Sequence, residues 1–399
     1  MDASTDPFGI QTLSIHAGET SNFQNGATIA PITMATSFKV DPAVSFSAEE
    51  LDEHSPHVYT RWGNPTIDIL EKKIAALEDG EAALAFGSGI AAVSGLILHL
   101  LKSGDRILMS DISYAGVREF GNDLLAGYGI EVISVNMADM QAVEAALSKP
   151  VQLAFLETPC NPICRLTDIR AVAERVHAQG GMVAVDSTFA TPLATRPLGL
   201  GADFVIHSLT KYLGGHGDAI GGIVVGKKAA IQALKARISI HLGGIISPFN
   251  AWLINRGLAT FPLRMQAHAR NARQLSEFLE AHPRVKKVIY PGLPSHPQAE
   301  LAQQQMQNFS GMLAFQTEQP QIIIQRMVER LKIFHYAVSL GHHKSLIFYI
   351  PTDAIQASSF QLDEVNLAAY REYAGDGVFR VSVGLEDAND LCRDLEQCL

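Results

Sequence analysis

From about residue 82 the chain alternates between short apolar runs and stretches whose apolar positions recur every three or four residues. The runs are AALAF (82–86), DRILMS (105–110), EVISVN (131–136), VQLAFLET (151–158), MVAVDST (182–188), DFVIHSL (203–209) and AIGGIVVG (219–226). Short strands alternating with helices predict βαβ units, hence a mainly parallel sheet covered by helices on both faces. The continuous apolarity of the runs fits strands buried on both sides. Ahead of them, Asn64-Pro65 reads as a helix cap and first-turn proline, and Ile67, Leu70, Ile74 and Leu77 keep helical spacing until Gly80. Residues 1–60, rich in Ser, Thr, Pro and Asn, read as an irregular arm. After Pro262 the pattern changes. An amphipathic stretch from Arg264 to Glu280 precedes VKKVIY (285–290), GMLAF (311–315), YAVSL (336–340), SLIFYI (345–350) and VFRVSVG (378–384). The expected organisation is an arm (1–60), a large α/β domain (61–262) and a smaller C-terminal α+β domain (263–399).

Composition narrows the function classes. The 399 residues are 47% hydrophobic and 18% charged, with a net charge of −10. An acidic chain lacks the basic face of a nucleic-acid binder. No apolar run reaches the roughly 18 residues of a membrane span, and the first residues lack a basic-then-apolar secretory pattern. The four cysteines, Cys160, Cys164, Cys392 and Cys398, are too few for a disulfide scaffold. Cys160 and Cys164 have no companion Cys/His pair at zinc spacing. A cytoplasmic protein with reduced thiols and no metal is the expectation.

Open parallel sheets bind ligands beyond the carboxyl ends of their strands. The polar residues there are Gly87-Ser88-Gly89 after AALAF, Glu157 and Asn161 after QLAFLE, Asp186 after MVAV, and Ser208, Thr210 and Lys211 after DFVIH. Gly-Ser-Gly before a helix exposes N–H groups to an anion, although the glycine spacing matches neither a dinucleotide fingerprint nor a P-loop. Lys211 lies among small residues in HSLTKYLGGHGDAIGG (207–222). An acid, a lysine 25 residues later (211 − 186) and a phosphate cradle are the parts pyridoxal phosphate needs. The lysine forms the Schiff base, the acid keeps the ring nitrogen protonated, and the cradle holds the phosphate. The small residues leave room for a flat cofactor and substrate.

Taken in order, YTRWGNPT (59–66), SGIAA (88–92), ETPCNP (157–162), VDSTFATP (185–192), HSLTKYLGGHGD (207–218), AVSLG (337–341) and FRVSVGLED (379–387) resemble the Cys/Met-metabolism family of pyridoxal-phosphate enzymes along nearly the whole chain. The resemblance implies fold type I, the aspartate-aminotransferase type. It implies Lys211 as the Schiff-base lysine and Asp186 as the partner of the ring nitrogen. Ser88, Ser208, Thr210 and the amides of Gly89 and Ile90 are implied at the phosphate. Tyr114 would stack on the ring and shuttle protons, and Asn161, Ser339 and Arg380 would hold the substrate carboxylate. Tyr59 and Arg61 would reach the phosphate of a neighbouring subunit, implying a dimer of dimers. The implied reaction is α,γ-elimination on a γ-heteroatom-substituted L-amino acid, giving a 2-oxo acid and ammonia.

Several positions depart from that pattern. Methionine γ-lyases resembling this chain carry a cysteine where Gly116 stands, and the Lys-Asp pair that works with it aligns with Ser239 and Ile240. Cystathionine γ-lyases carry a glutamate at Val338. The block HHKSLIFYIPT (342–352) also differs. Its His342, His343 and Lys344, or Arg118, could form a polar pocket for an oxygen-linked substrate such as canavanine or an O-acylated homoserine; the three could equally be a solvated turn. γ-Replacement, as in O-acetylhomoserine sulfhydrylase or cystathionine γ-synthase, uses the same motifs and is the alternative. β-Elimination fits less well, because cystathionine β-lyases tend to have Trp at Leu340. A nicotinamide-dependent oxidoreductase would need an acid at the end of its second strand, where DRILMS offers only Ser110-Asp111. A non-catalytic binding protein would not need the full set of catalytic-type residues.

Overall fold

Asn64 starts the first long helix, Pro65–Leu77, in a computed structural model that describes residues 8–19, 23, 26–42, 44, 47, 55–357 and 361–399. Its side-chain oxygen accepts the Thr66 N–H at 2.9 Å, and Pro65 occupies a first-turn position whose N–H would be idle. Leu70, Ile74 and Leu77 are fully buried, as the 3.6-residue period requires. The arm is less irregular than expected. Ile10–His16 is a helix whose Leu13 enters the core, and the buried Lys73 ties it down through Ile15 O (2.8 Å) and Glu19 (2.9 Å). A helix this short carries too little periodicity to be read from sequence. Arm residues 1–7, 20–22, 24–25, 43, 45–46 and 48–54 lie outside the described residues.

All seven apolar runs form strands: β1 Ala82–Phe86, β2 Arg106–Ser110, β3 Glu131–Val135, β4 Leu153–Glu157, β5 Met182–Asp186, β6 Phe204–Ser208 and β7 Gly222–Gly226. They make one sheet ordered β1-β7-β6-β5-β4-β2-β3. β7 runs antiparallel to both β1 and β6. The connection from β6 to β7 contains no helix. Without a crossover the chain can only turn back beside β6. β1 therefore points the same way as β4, β5 and β6, and Phe86, Glu157, Asp186 and Ser208 all end at one edge. Helix Gly89–Leu100 covers one face through Ala92, Val93, Leu96 and Ile97, while Pro65–Leu77 and Pro248–Leu258 cover the other.

The smaller sheet, ordered β10-β11-β12-β9-β8, comprises β8 Val285–Ile289, β9 Met312–Thr317, β10 His335–Tyr336, β11 Leu346–Pro351 and β12 Gly377–Ser382. Helix Phe261–Ala281 leads into it and is bonded to the chain after β12 by His268 Nδ1 to Val383 O (2.7 Å) and Asn271 Nδ2 to Glu386 O (2.8 Å). The expectation of a strand over 336–340 is corrected here. Only His335 and Tyr336 pair; Ser339 then takes φ +85°, outside extended geometry, and the segment becomes a bent loop. No helix among the described residues is long and apolar enough to cross a membrane.

Candidate active site

The edge where β4, β5 and β6 end borders a cavity of about 240 Å³, lined among others by Asp186, Lys211, Tyr114, Ser208, Thr210 and Glu157. A larger groove of about 1800 Å³, between helix Ile10–His16, helix Pro65–Leu77 and residues 228–240, holds none of these strand-end residues.

Its floor follows from strand register. Glu157 and Asp186 are partners across β4 and β5. Burial pushes the Glu157 carboxyl up to about 8, with the Asp186 charge adding to the effect. Both of its oxygens are occupied: Tyr114 N–H donates to Oε2 at 2.7 Å and Asn161 N–H to Oε1 at 2.8 Å. Glu157 thus fixes the backbone beneath both residues. Burial likewise raises Asp186, while the hydroxyl and N–H of Thr188, the latter at 3.0 Å, pull it back. Thr188 is a contributor that the sequence reading left out, and Glu157 was noted there at a strand end without a role. A carboxylate after a strand is an ambiguous signal until its partners are known.

The anion cradle is built from backbone. Ser88 caps helix Gly89–Leu100, its hydroxyl accepting the Ala91 N–H at 3.2 Å, and Ala92 N–H reaches Ser88 O. Helix geometry leaves the Gly89 and Ile90 N–H groups without an intrahelical acceptor. A Cβ on Gly89 would meet Ser208 Oγ at 3.0 Å, and one on Gly222 would meet Ser88 O at 2.2 Å, so glycine alone permits this approach. Thr210 Oγ1 accepts the Gly221 N–H at 3.1 Å, and Ser208 N–H reaches Thr188 Oγ1 at 2.9 Å. No arginine lines the cavity, and Lys211 is its one lysine, among the described residues.

Lys211 Nζ donates to Ser339 Oγ at 3.0 Å. Burial lowers its pKa, and the Arg380 charge lowers it further. Arg380 rises from β12, where its neighbour Phe379 stacks on Phe315 at 5.0 Å, leaving the guanidinium on the opposite face. It is 9% exposed and donates to Asn161 Oδ1 (3.1 Å) and Ser339 O (3.0 Å), while Nε has no partner. No carboxylate among the described residues pairs with it. The bend at Ser339 lets one residue bond Arg380 through its carbonyl and Lys211 through its hydroxyl.

Tyr114 begins helix Ala115–Glu119, and its ring lies over Gly116, where a Cβ would meet Cε1 at 2.8 Å. Leu340 also lines the cavity. Tyr59 and Arg61 do not; Arg61 lies 5.6 Å over the Tyr59 ring and donates to Ile240 O. Arg118 is turned away as well, bonded to Ser134 and to Gln361 O, which removes it from the candidate polar pocket. The 342–344 block divides. His342 reaches Ser339 Oγ at 3.3 Å, whereas His343 and Lys344 are exposed.

Among the described residues, those present suit pyridoxal phosphate: an acid in no ion pair, one lysine, and a neutral cradle at a helix start. The family model described as Cys/Met metabolism PLP-dependent enzyme matches residues 11–399. An L-methionine gamma-lyase of Fusobacterium nucleatum is 38% identical, covering 98% of each chain. A canavanine gamma-lyase of Pseudomonas canavaninivorans is 40% identical over 97% of this chain and 95% of its own. A solved cystathionine gamma-lyase from Lactobacillus plantarum, complexed with L-serine, superposes with a TM-score of 0.87 at 36% identity over 98% of each. This chain belongs to the Cys/Met metabolism PLP-dependent enzymes, and pyridoxal phosphate is its cofactor.

Proposed function

We propose that the protein is a γ-lyase, eliminating the γ-substituent of an L-amino acid to leave a 2-oxo acid and ammonia. One observation carries the reading: Ser339 joins Lys211 to Arg380, so a proton-transferring amine and a carboxylate site stand on either side of one residue. Bound at the strand ends, pyridoxal phosphate supplies an electron-poor ring that draws electrons from the substrate's α-carbon. Asp186 would hold the proton on its ring nitrogen. Ser88, Ser208, Thr210 and the Gly89 and Ile90 N–H groups would hold its phosphate, and Lys211 would anchor its aldehyde carbon. Arg380 and Asn161 orient the amino acid through its carboxylate, which gives the unpaired guanidinium its counter-ion. Lys211, whose burial favours the neutral amine, takes the α-proton and returns it along the chain of carbons. Tyr114, at the mouth of the cavity, protonates the departing γ-group.

Among the described residues, the cavity holds no cation besides Lys211, and Arg61 stands outside it. That supports an assembly in which Tyr59 and Arg61 complete a neighbour's site, with a dimer as the minimum and a dimer of dimers as the full form. We place the enzyme in the cytoplasm, and the domain division at 262/263, within the first turn of helix Phe261–Ala281. For the substrate, Gly116 provides no thiol and Val338 no acid. A γ-oxygen-linked amino acid such as canavanine, or an O-acylated homoserine, therefore fits better than methionine or cystathionine. The test is a panel of γ-substituted amino acids ranked by kcat/KM, with 2-oxo acid and ammonia assayed with and without added thiol. Ammonia release independent of thiol supports elimination. Turnover only with thiol would make the enzyme a γ-replacement transferase.

A further inference from the structure

His342 comes from the block that sets this chain apart from the lyases it resembles, and of His342, His343 and Lys344 it is the one turned inward. Its Nε2 lies 3.3 Å from Ser339 Oγ, which is 3.0 Å from Lys211 Nζ. The imidazole lies against the glycine-rich loop: a Cβ on Gly217, at φ +72°, would meet its Cε1 at 2.8 Å and its Nδ1 at 2.9 Å. A side chain at 217 would expel the ring. The ring is half-buried.

Hydroxyl geometry turns this chain into a direction. Ser339 Oγ carries one hydrogen. If that hydrogen goes to His342 Nε2, the oxygen lone pairs face Lys211 and can accept from its amine. If Nε2 itself carries a hydrogen, the hydroxyl must point elsewhere, and its free direction is the lysine lone pair that should take the substrate proton. We propose that His342, as the neutral tautomer with its hydrogen on Nδ1, is a positioning residue that accepts the Ser339 hydrogen at Nε2, sets the Ser339 oxygen as acceptor and keeps Lys211 competent as a base. The inference rests on the lyase reading for Lys211. Burial lowers the His342 pKa, the Lys211 and His343 charges lower it further, and Asp218 opposes them. His216 lies beyond His343, the two rings 5.9 Å apart. The neutral form therefore prevails at neutral pH.

Two measurements test this. On a substrate that the wild-type holoenzyme turns over, His342→Ala should lower kcat about tenfold. KM should hold within about twofold, because Arg380 and Asn161 are untouched. His342→Gln places an amide oxygen near Nε2, and should recover kcat to within about threefold of wild type while losing the acid limb of its pH profile. Equal kcat in wild type and His342→Ala, or a Gln variant as slow as Ala, would overturn the proposal. The second readout needs no turnover. In protein labelled with ¹³C-histidine, the signal missing from His342→Gln should titrate below ordinary imidazole and move upward in Lys211→Met. A signal indifferent to Lys211 would overturn the coupling. A wild type that releases no 2-oxo acid from any substrate would sink the lyase reading instead, and the second measurement would still judge His342.

Discussion

Arg380 keeps its charge in a pocket that offers it an amide oxygen and a carbonyl but, among the described residues, no acid partner, and burial pulls its pKa down. A buried cation in that condition is costly unless a ligand supplies the missing anion. Lysine in its place would keep the charge but lose the planar fork. Arg380→Lys is therefore expected to raise KM about 10- to 100-fold with a smaller change in kcat, read by steady-state kinetics. An unchanged KM would separate Arg380 from the carboxylate. Lys211, Asp186 and Arg380 were legible in the sequence because each stands at a strand end or within a motif. Glu157 was only half legible. Its importance lies in holding the Tyr114 and Asn161 N–H groups, bonds to residues 43 and 4 positions away that no local pattern displays. His342 was visible as a departure, but only the fold shows that it turns inward while His343 and Lys344 do not.

Regular elements were the most readable, since every apolar run between residues 82 and 226 became a strand. Burial on both faces imposes an unbroken apolar composition that few loops share. The direction of β7 was not readable, because it depends on the absence of a helix between β6 and β7 rather than on the strand itself. YAVSL misled for a related reason. Its alternation suits a strand, yet tertiary bonds to Ser339 impose a left-handed backbone that costs of order 1–3 kcal/mol and that the surrounding contacts must hold. Asn64 shows the converse, a cap that is also a tertiary anchor. Its Nδ2 donates to Thr33 O (2.9 Å) and Thr60 Oγ1 (3.0 Å), so one side chain starts a helix and fastens the segment carrying Tyr59 and Arg61. Asn64→Ala should cost about 2 kcal/mol in denaturant unfolding, a cap plus two further hydrogen bonds. A loss below about half a kcal/mol would show the segment to be held elsewhere.

At the scale of the whole molecule the proposed sharing of sites makes a sharp prediction. Lys211→Ala disables a subunit's own cavity, whereas Arg61→Ala disables its neighbour's. Mixed, dissociated and reassembled, the two inactive variants should regain up to about a quarter of wild-type activity, since one site per mixed pair then has both wild-type contributors. No recovery on reassembly would confine each site to one chain. The joint between the two sheets gives a pH prediction. His268 donates Nδ1–H to Val383 O, its Nε2 is buried without a partner, and burial lowers its pKa from 6.5 to about 4. A depressed folded pKa contributes stability that is present above 6.5 and lost as pH falls towards 4. His268→Asn keeps a donor near Nδ1 and removes the titration. Its stability should fall less steeply between pH 6.5 and 4, by up to about 1.4 kcal/mol per pH unit, in urea unfolding at fixed temperature. Parallel curves would assign acid sensitivity to other groups.

The account stands on Lys211 as the point of cofactor attachment, and the most direct measurement is borohydride reduction of the purified holoenzyme, followed by digestion and mass spectrometry. A pyridoxyl group on the peptide bearing Lys211, and loss of the visible absorption band on reduction, is the predicted result. The same group on another lysine, or on none, would contradict it.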